Sequence, residues 1–319
     1  GAWPDPHPPA TGSPRPVAVT RPAWTRPAAT LDDRDLHYLE EVQGERALAF
    51  ARAHNETAEG ALTAEKGFGE LRSRLLAIYE SKAKIPAPRV HGGAVRNFWT
   101  DGDHPRGIWR QTTLAEYRRP EPAWKTLLDV DALNAREKES FVFHGAPCLY
   151  PADKRCLVRL SRGGGDADVV RELDVDRRDF DKAGFTLPEA KSQVAWKDDS
   201  TIYVATDFGT GSLTKSGYPR IVKEWKRGTP LASATTVFEA KESDIGGECW
   251  RSFDHDRWQD FCVRQIDFER NELFVLEGGK LVKVDKPDDA DAGVWDDELL
   301  LRLRSQWRAG TSVFKKGAL

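Results

Sequence analysis

From Pro86 onward, apolar and polar residues alternate at a period of two, in short runs bounded by Gly, Asp, Asn and Pro. This pattern constrains the fold more than any other feature, because a strand buries every second side chain whereas a helix needs apolar residues every three to four positions. Leu299, Leu301, Leu303, Ser305 and Trp307 fall on one face of a predicted strand, and Arg302, Arg304 and Gln306 on the other. Glu272–Leu276 and Lys280–Asp285 flank Gly278-Gly279, a dipeptide suited to a two-residue hairpin turn.

The strand candidates group in fours, over Ala94–Val130, Ser140–Phe180, Gln193–Ala240 and Gly247–Asp285, and a fifth set begins near Val294 and stops at Leu319. That spacing is close to the ~40–50 residues of a propeller blade. The repeat is one of pattern, not of residues. A β-sandwich could use similar strands, but the regular grouping and eleven tryptophans favour a propeller. The expected fold is therefore mainly β: a partial β-propeller of about four to five four-stranded blades over 86–319, the last incomplete, preceded by a short helical segment. A closed five-bladed ring, in which a strand near residues 86–99 completes the last blade, is a further possible arrangement.

Ahead of the strands the chain changes character twice. Eight prolines fall between Gly1 and Thr30, each removing an amide donor, so residues 1–30 are expected as an extended arm. Residues 31–85 lack proline until the Lys84-Ile85-Pro86 stop and carry apolar side chains at helical spacing. Two or three helices are expected here. Phe68, Leu71, Leu75, Ile78 and Tyr79 line one helix face; Ala47, Phe50, Ala51 and His54 line another, with His54 a boundary residue and not a ligand.

Composition narrows the function classes. The 319 residues are 39% hydrophobic, enough for a sizeable core, and a net charge of −3 gives no basic excess for nucleic acid or lipid headgroups. Neither nucleic acid nor membrane is expected as a partner, and no cofactor is implied. No apolar run approaches the ~18 residues of a membrane span. A cytoplasmic protein is expected, with a periplasmic or secreted one as the alternative if a signal was removed. Cys148, Cys156, Cys249 and Cys262 form no C-x-x-C pair. Buried free thiols are the expected state; a Cys148–Cys156 disulfide across one hairpin is the alternative and would imply an oxidising compartment. Methionine is absent altogether.

The chemistry-bearing motifs mostly reduce to turns. No G-x-S-x-G nucleophile elbow occurs. Seven histidines are present, yet no serine sits in a sharp turn flanked by glycines, so no catalytic, cofactor-binding or metal-binding residue is assigned. His104 and Arg106, in the Asp103-His104-Pro105-Arg106-Gly107 turn, are expected to serve turn structure and charge pairing. Asp207-Phe208-Gly209 lacks the other kinase loops, and Gly163-Gly164-Gly165 lacks the lysine and helix of a phosphate loop. Asp198-Asp199, Asp288-Asp289 and Asp296-Asp297 lack calcium-loop spacing and are expected as solvated turn carboxylates.

The stretch Asn97–Leu133, NFWTDGDHPRGIWRQTTLAEYRRPEPAWKTLLDVDAL, closely resembles the opening propeller segment of the prolyl oligopeptidase family of serine peptidases. The resemblance extends through Asp35–Glu40 with Ala47–Asn55, Leu160–Gly164, Leu187–Ser192, Thr206–Gly209 with Ser216–Arg220, and Leu281–Ala292 ahead of Leu299–Trp307. It implies a two-domain enzyme in which a seven-bladed propeller caps an α/β-hydrolase domain holding a Ser, Asp and His triad. It further implies short peptide substrates, cleavage typically after proline through a serine acyl-enzyme, and a helical segment that packs with the hydrolase domain. On this reading the chain is the gating and substrate-selecting part of such a peptidase, its partners being short peptides and a hydrolase domain beyond Leu319 in the same parent chain. The alternative is a non-catalytic propeller module that binds protein or peptide partners through its loops.

Overall fold

The computed structural model describes residues 33–41, 43–254, 256–295 and 298–319. The Pro-rich stretch 1–30 and the Asp296-Asp297 pair lie outside the described residues. Two compact units are present, one ending at Ser73 and one beginning at Arg74.

In the first unit a 3-10 helix, Asp33–Glu40, precedes α1, Glu45–Thr63. Tyr38 meets Phe50 edge-on at 6.3 Å, and the Arg46 guanidinium lies 3.8 Å over the Tyr38 ring. His54 is exposed; it stacks on Phe50 and places Nδ1 2.8 Å from the Phe50 carbonyl, so it has a local structural role. Helix α2, Phe68–Glu80, follows. Neither α1 nor α2 buries a single described residue. On α2, Leu71, Ile78 and Tyr79 are 55%, 65% and 72% exposed, so an apolar helix face looks into solvent.

The second unit is built from antiparallel meanders, three of them four-stranded in simple sequence order and one five-stranded. Sheet one contains β1 (Arg89–His91), β2 (Ala94–Trp99), β3 (Ile108–Thr113) and β4 (Lys125–Asp129), with the short α3 (Leu114–Tyr117) between its last two strands. Helix α4 (Val130–Glu137) leads to sheet two: β5 (Phe141–Gly145), β6 (Arg155–Arg162), β7 (Asp168–Asp174), β8 (Asp179–Phe180) and β9 (Thr186–Ala190), where β8 and β9 both pair with β7. Sheet three is β10 (Gln193–Asp198), β11 (Thr201–Ala205), β12 (Ile221–Lys226) and β13 (Thr235–Glu239). Sheet four is β14 (Gly246–Asp254), β15 (Arg257–Gln265), β16 (Asn271–Glu277) and β17 (Lys280–Lys283). Four more strands follow as two separate hairpins, β18 (Asp291–Trp295) with β19 (Glu298–Arg302), and β20 (Trp307–Ala309) with β21 (Ser312–Phe314). The mainly β, four-bladed arrangement is thus present.

Consecutive sheets stack through their faces, and the period of two explains how. Along β6, Cys156, Val158 and Leu160 enter a cluster with Trp109, Leu128 and Phe141 of the preceding strands and Leu133 of helix α4. The intervening Leu157 enters a different cluster with Phe185, Trp196, Ile202 and Trp225. Along β11, Ile202 and Val204 join that second cluster, whereas Tyr203 and Ala205 join a third with Val222, Phe238, Cys249 and Cys262. One strand therefore supplies two inter-sheet cores, which is why β11 is buried at every position.

Local chemistry sets the joints. Asp129 caps α4 by accepting from the Ala132 amide, and Lys138 ends it in the left-handed conformation. The Asn134 side chain then bonds both the amide and the carbonyl of Phe141, delivering the chain into sheet two. Gly278 and Gly279, with φ of 55° and 80°, make the expected tight turn between β16 and β17.

Three expectations are corrected. The cysteines are not free thiols: Cys148–Cys156 and Cys249–Cys262 are disulfides with Cα atoms 4.0 Å apart. Cys249 and Cys262 are direct register partners of β14 and β15, and Cys148 faces Cys156 in an isolated bridge; cross-strand register, which linear spacing does not reveal, brings them together. The single strand expected over Leu299–Trp307 breaks after Arg302, because the amide of Leu303 donates to the Ala318 carbonyl and its carbonyl accepts from Gly317. The closed five-bladed ring is also overturned, since β1 and β2 pair within sheet one and with none of β18–β21.

Candidate functional site

A four-stranded meander has two unlike ends. At one, the first and third hairpins turn; at the other, the second hairpin turns and the chain crosses to the next sheet. This second, crossover end holds the buried carboxylates Asp101, Asp168 and Asp244.

On sheet one it holds the Thr100–Gly107 turn. Asp101, only 7% exposed, accepts from the Trp99 indole at 2.9 Å and from the amides of Asp103 and His104. His104 Nδ1 lies 3.0 Å from the same carboxylate. Burial alone would raise this carboxyl, but the Trp99 and His104 hydrogen bonds outweigh it and hold it well below the ordinary range. The Arg106 and Gly107 amides donate to Asp131. Lys82 pairs with Asp103, and Lys84 donates to the Thr100 carbonyl, so the segment entering the propeller is fastened to this end. His104 and Arg106 therefore build a turn, as their sequence context suggested.

Between sheets two and three, Tyr218 donates to Asp166 at 2.7 Å, and the Lys191 ammonium lies 3.9 Å over the Tyr218 ring. Deeper in sheet two, the fully buried Asp168 takes Nε and Nη2 of Arg159 on one oxygen, at 2.9 and 2.7 Å. Its other oxygen lies 2.8 Å from His144 Nδ1. Between sheets three and four, Arg264 forks onto Asp244 at 2.6 and 3.0 Å and reaches Glu272 at 2.8 Å. Burial pushes the Asp244 carboxyl up, but Arg264 and the Lys241 amide more than reverse this; Lys283, then Arg264, hold Glu272 low.

Tyr218, together with residues flanking Asp244 and Arg264, lines a cavity of about 210 Å3 whose wall is Gln193, Tyr218, Pro219, Ile245, Gly246, Gly247, Glu248, Val263 and Gln265. Its volume lies below the ~300 Å3 of a small-molecule pocket, so it suits one side chain and not a whole ligand. Gly247 allows the walls to close: a Cβ there would stand 3.2 Å from Ala240 Cβ and 3.3 Å from the Arg220 carbonyl. The Glu248 side chain keeps contact with solvent, yet crowding by protein raises its carboxyl, against the pull of the Arg159 charge.

The remaining motifs are accounted for locally. Asp207 accepts from the Gly209 amide at 2.8 Å, forming a side-chain-closed turn. Gly163 and Gly164, at φ of 68° and 84°, turn the chain from β6 to β7. Asp198 caps the Ser200 amide, and Asp289 accepts from Ser305. Among the described residues no group of three or more His, Cys, Asp or Glu side chains is placed to hold a metal ion. Sequence reasoning did not single out Arg159, Asp168, Asp244 or Arg264. The available signal was a charged residue inside an otherwise apolar strand, as in Cys262-Val263-Arg264.

A pH prediction follows from the three depressed carboxyls. Asp101, Asp244 and Glu272 have folded-state pKa values below their unfolded ones, so the stability they contribute is complete above the unfolded values of ~4 and is lost as pH falls through the folded values. Stability against denaturant should be flat from pH 7 to about 5 and fall steeply below about 4. A stability that rose on acidification through that window would contradict the pairing described.

Comparison with known proteins adds the following. Residues 25–298 match the family described as prolyl oligopeptidase, N-terminal beta-propeller domain. An uncharacterised peptidase of Sinorhizobium fredii is 37% identical over 291 residues, covering 88% of this chain and 40% of that protein. An uncharacterised peptidase of Rickettsia prowazekii is 27% identical over 301 residues, covering 90% and 42%. A post-proline cleaving enzyme from Rickettsia typhi superposes with a TM-score of 0.81 at 27% identity, covering 90% of this chain and 44% of that structure. The chain thus spans about two fifths of the length of the curated relatives it matches.

Proposed function

Since the chain belongs to the prolyl oligopeptidase family, as its N-terminal propeller portion, we propose that it is the substrate-selecting part of a serine peptidase that hydrolyses short peptides, typically after proline. In this reading the α/β-hydrolase domain belongs to the same parent chain, supplies the nucleophilic serine and its base, and meets the propeller at the crossover end.

The observation that carries the reading is the construction of that end. It combines a cavity sized for one side chain, the Arg264–Asp244 pair next to it in the chain, and the Lys82 and Lys84 anchors of the entering segment. A peptide held between the two domains would place one side chain in the cavity, with Glu248, Gln193 and Gln265 as its polar contacts. The exposed apolar residues of α2 supply a surface for the hydrolase domain to cover.

The test uses the natural full-length protein and a fluorophosphonate serine probe. Labelling, together with cleavage of short chromogenic peptides ending in proline faster than of matched peptides ending in alanine, is the expected result. Absence of both labelling and cleavage would overturn the peptidase reading in favour of a non-catalytic module that binds peptides through its loops.

A further inference from the structure

The two disulfides sit in unlike surroundings. Cys249 and Cys262 are 5% and 4% exposed and belong to the apolar cluster of Tyr203, Ala205, Val222 and Phe238. Cys148 is half-buried in the β5–β6 connection, and its partner Cys156 is fully buried near the start of β6. Against this second bond lies a cation: Arg96 of β2 donates from Nη1 to Cys148 Sγ at 3.3 Å and to Cys156 Sγ at 3.8 Å.

Arg96 is only 3% exposed, and every acceptor on it is uncharged: the two sulfurs, the Asp153 carbonyl at 2.7 Å and the Gln111 side-chain oxygen at 3.2 Å. Burial pushes the guanidinium below the ordinary arginine value, and the charge of the Asp153 carboxylate only partly opposes this. That carboxylate also faces His91, whose Nδ1 lies 3.7 Å from it. A buried guanidinium whose hydrogen bonds all end on neutral atoms stabilises an anion formed against it. A disulfide offers no anion, but a thiolate does.

Thiol–disulfide exchange forms that anion, because the departing sulfur leaves as a thiolate. When a thiolate of a dithiol reductant attacks Cys148 Sγ, the more accessible sulfur, a mixed disulfide forms there; the Cys148–Cys156 bond breaks and its electron pair stays on Cys156, beside Arg96. The reductant's second thiolate then attacks the reductant sulfur of the mixed disulfide, closing the reductant's own disulfide and leaving the electron pair on Cys148, beside the same Nη1. The dithiol is oxidised and gives up two protons; Cys156 takes one, solvent the other, and Cys148 remains a thiolate.

The loop that this bond closes is a junction. Its Pro147 carbonyl accepts from the Trp196 indole of sheet three at 3.0 Å, and its Asp153 carbonyl from Arg96 of sheet one. Its Tyr150 ring meets Phe253 and Trp258 of sheet four at 4.8 and 6.1 Å.

We propose that Cys148–Cys156 is a thiol-exchange site activated by Arg96, through which a dithiol reductant loosens this junction, while Cys249–Cys262 is a permanent brace. Neither bond's behaviour depends on the peptidase reading. In the test, the natural full-length protein is incubated with dithiothreitol at pH 7, thiols are trapped with N-ethylmaleimide, and the cysteine peptides are quantified by mass spectrometry. Cys148–Cys156 should open at least about tenfold faster than Cys249–Cys262, through its access and its stabilised leaving thiolate. Arg96→Gln should remove most of that preference, and Arg96→Lys, which keeps the charge, should retain it. Equal rates or the reverse order overturn the site, and a full preference in Arg96→Gln overturns the activation. A second readout needs no variant: in the reduced natural protein, the pH dependence of Cys148 alkylation by iodoacetamide should place its thiol at least about one unit below the ordinary value of ~8.5. An ordinary titration overturns the role of Arg96. Amide hydrogen exchange over residues 146–154 should rise when the bond opens, and unchanged exchange overturns its action on the junction.

Discussion

Asp168→Ala should lower the unfolding free energy of the propeller by about 3–5 kcal/mol, the cost of breaking a buried ion pair from one side. Asp168 is fully buried, and Arg159, which holds two hydrogen bonds to it, is 27% exposed. Removing the carboxylate leaves a guanidinium without its partner beside His144 and Glu248, and water can only partly replace what was lost. Chemical denaturation followed by tryptophan fluorescence would measure the effect, with a melting midpoint lower by about 10 °C for a unit of this size. The double variant Asp168→Leu with Arg159→Met separates charge from packing: if the penalty is the stranded charge, the double variant recovers most of the loss. A single variant within about 1 kcal/mol of the parent would mean the pair is solvated and that sheet two rests there on its apolar clusters alone.

Arg264→Ala should cost a similar amount, about 3–5 kcal/mol, for a related reason. Arg264 is 14% exposed and neutralises two carboxylates, one of them the Asp244 side chain at 2% exposure. Glu272 keeps Lys283 as a partner at 2.7 Å, but Asp244 retains only the Lys241 amide and must stay charged in a desolvated site or take up a proton. The variant should therefore regain part of its stability as pH falls from 7 toward 5, where the parent is flat, because the stranded carboxyl now has a raised folded-state pKa. Arg264→Lys should not rescue it, since one ammonium cannot reproduce the planar fork onto Asp244 together with the contact to Glu272. Denaturation of the parent and both variants at pH 5 and pH 7 decides the matter; a lysine variant as stable as the parent would show that the fork geometry is unimportant.

The parts of this protein that were legible in the sequence are those governed by local periodicity. The alternation along residues 201–205 and 272–276, and the Gly278-Gly279 turn, follow from the geometry of a pleated strand and the tolerance of glycine for positive φ. Four meanders could be counted because each turn leaves a local mark. The strand expected across residues 299–307 failed because alternation persists through a segment whose backbone is claimed by distant partners, Gly317 and Ala318. The Cys148–Cys156 bond had been the alternative to free thiols, but the Cys249–Cys262 bond was missed for a like reason, since only pairing register sets those two opposite each other.

The site divides along the same line. Tyr218 and Lys191 lay within motifs that the sequence displayed, but nothing local indicated that Tyr218 would donate to Asp166 in another sheet. His144, Arg159 and Asp168 sit in three different strands or their flanks, and Asp244, Arg264 and Glu272 come from a crossover and two strands. By itself the sequence determined the strand period, the fourfold grouping and the family, because each is carried by neighbouring residues whose side chains must alternate to fold at all. Only the tertiary structure decided which carboxylate meets which guanidinium, which cysteines join and which aromatic rings meet between sheets, because those contacts bridge 8 to 108 residues of chain and are set by register and by the stacking of one sheet on the next.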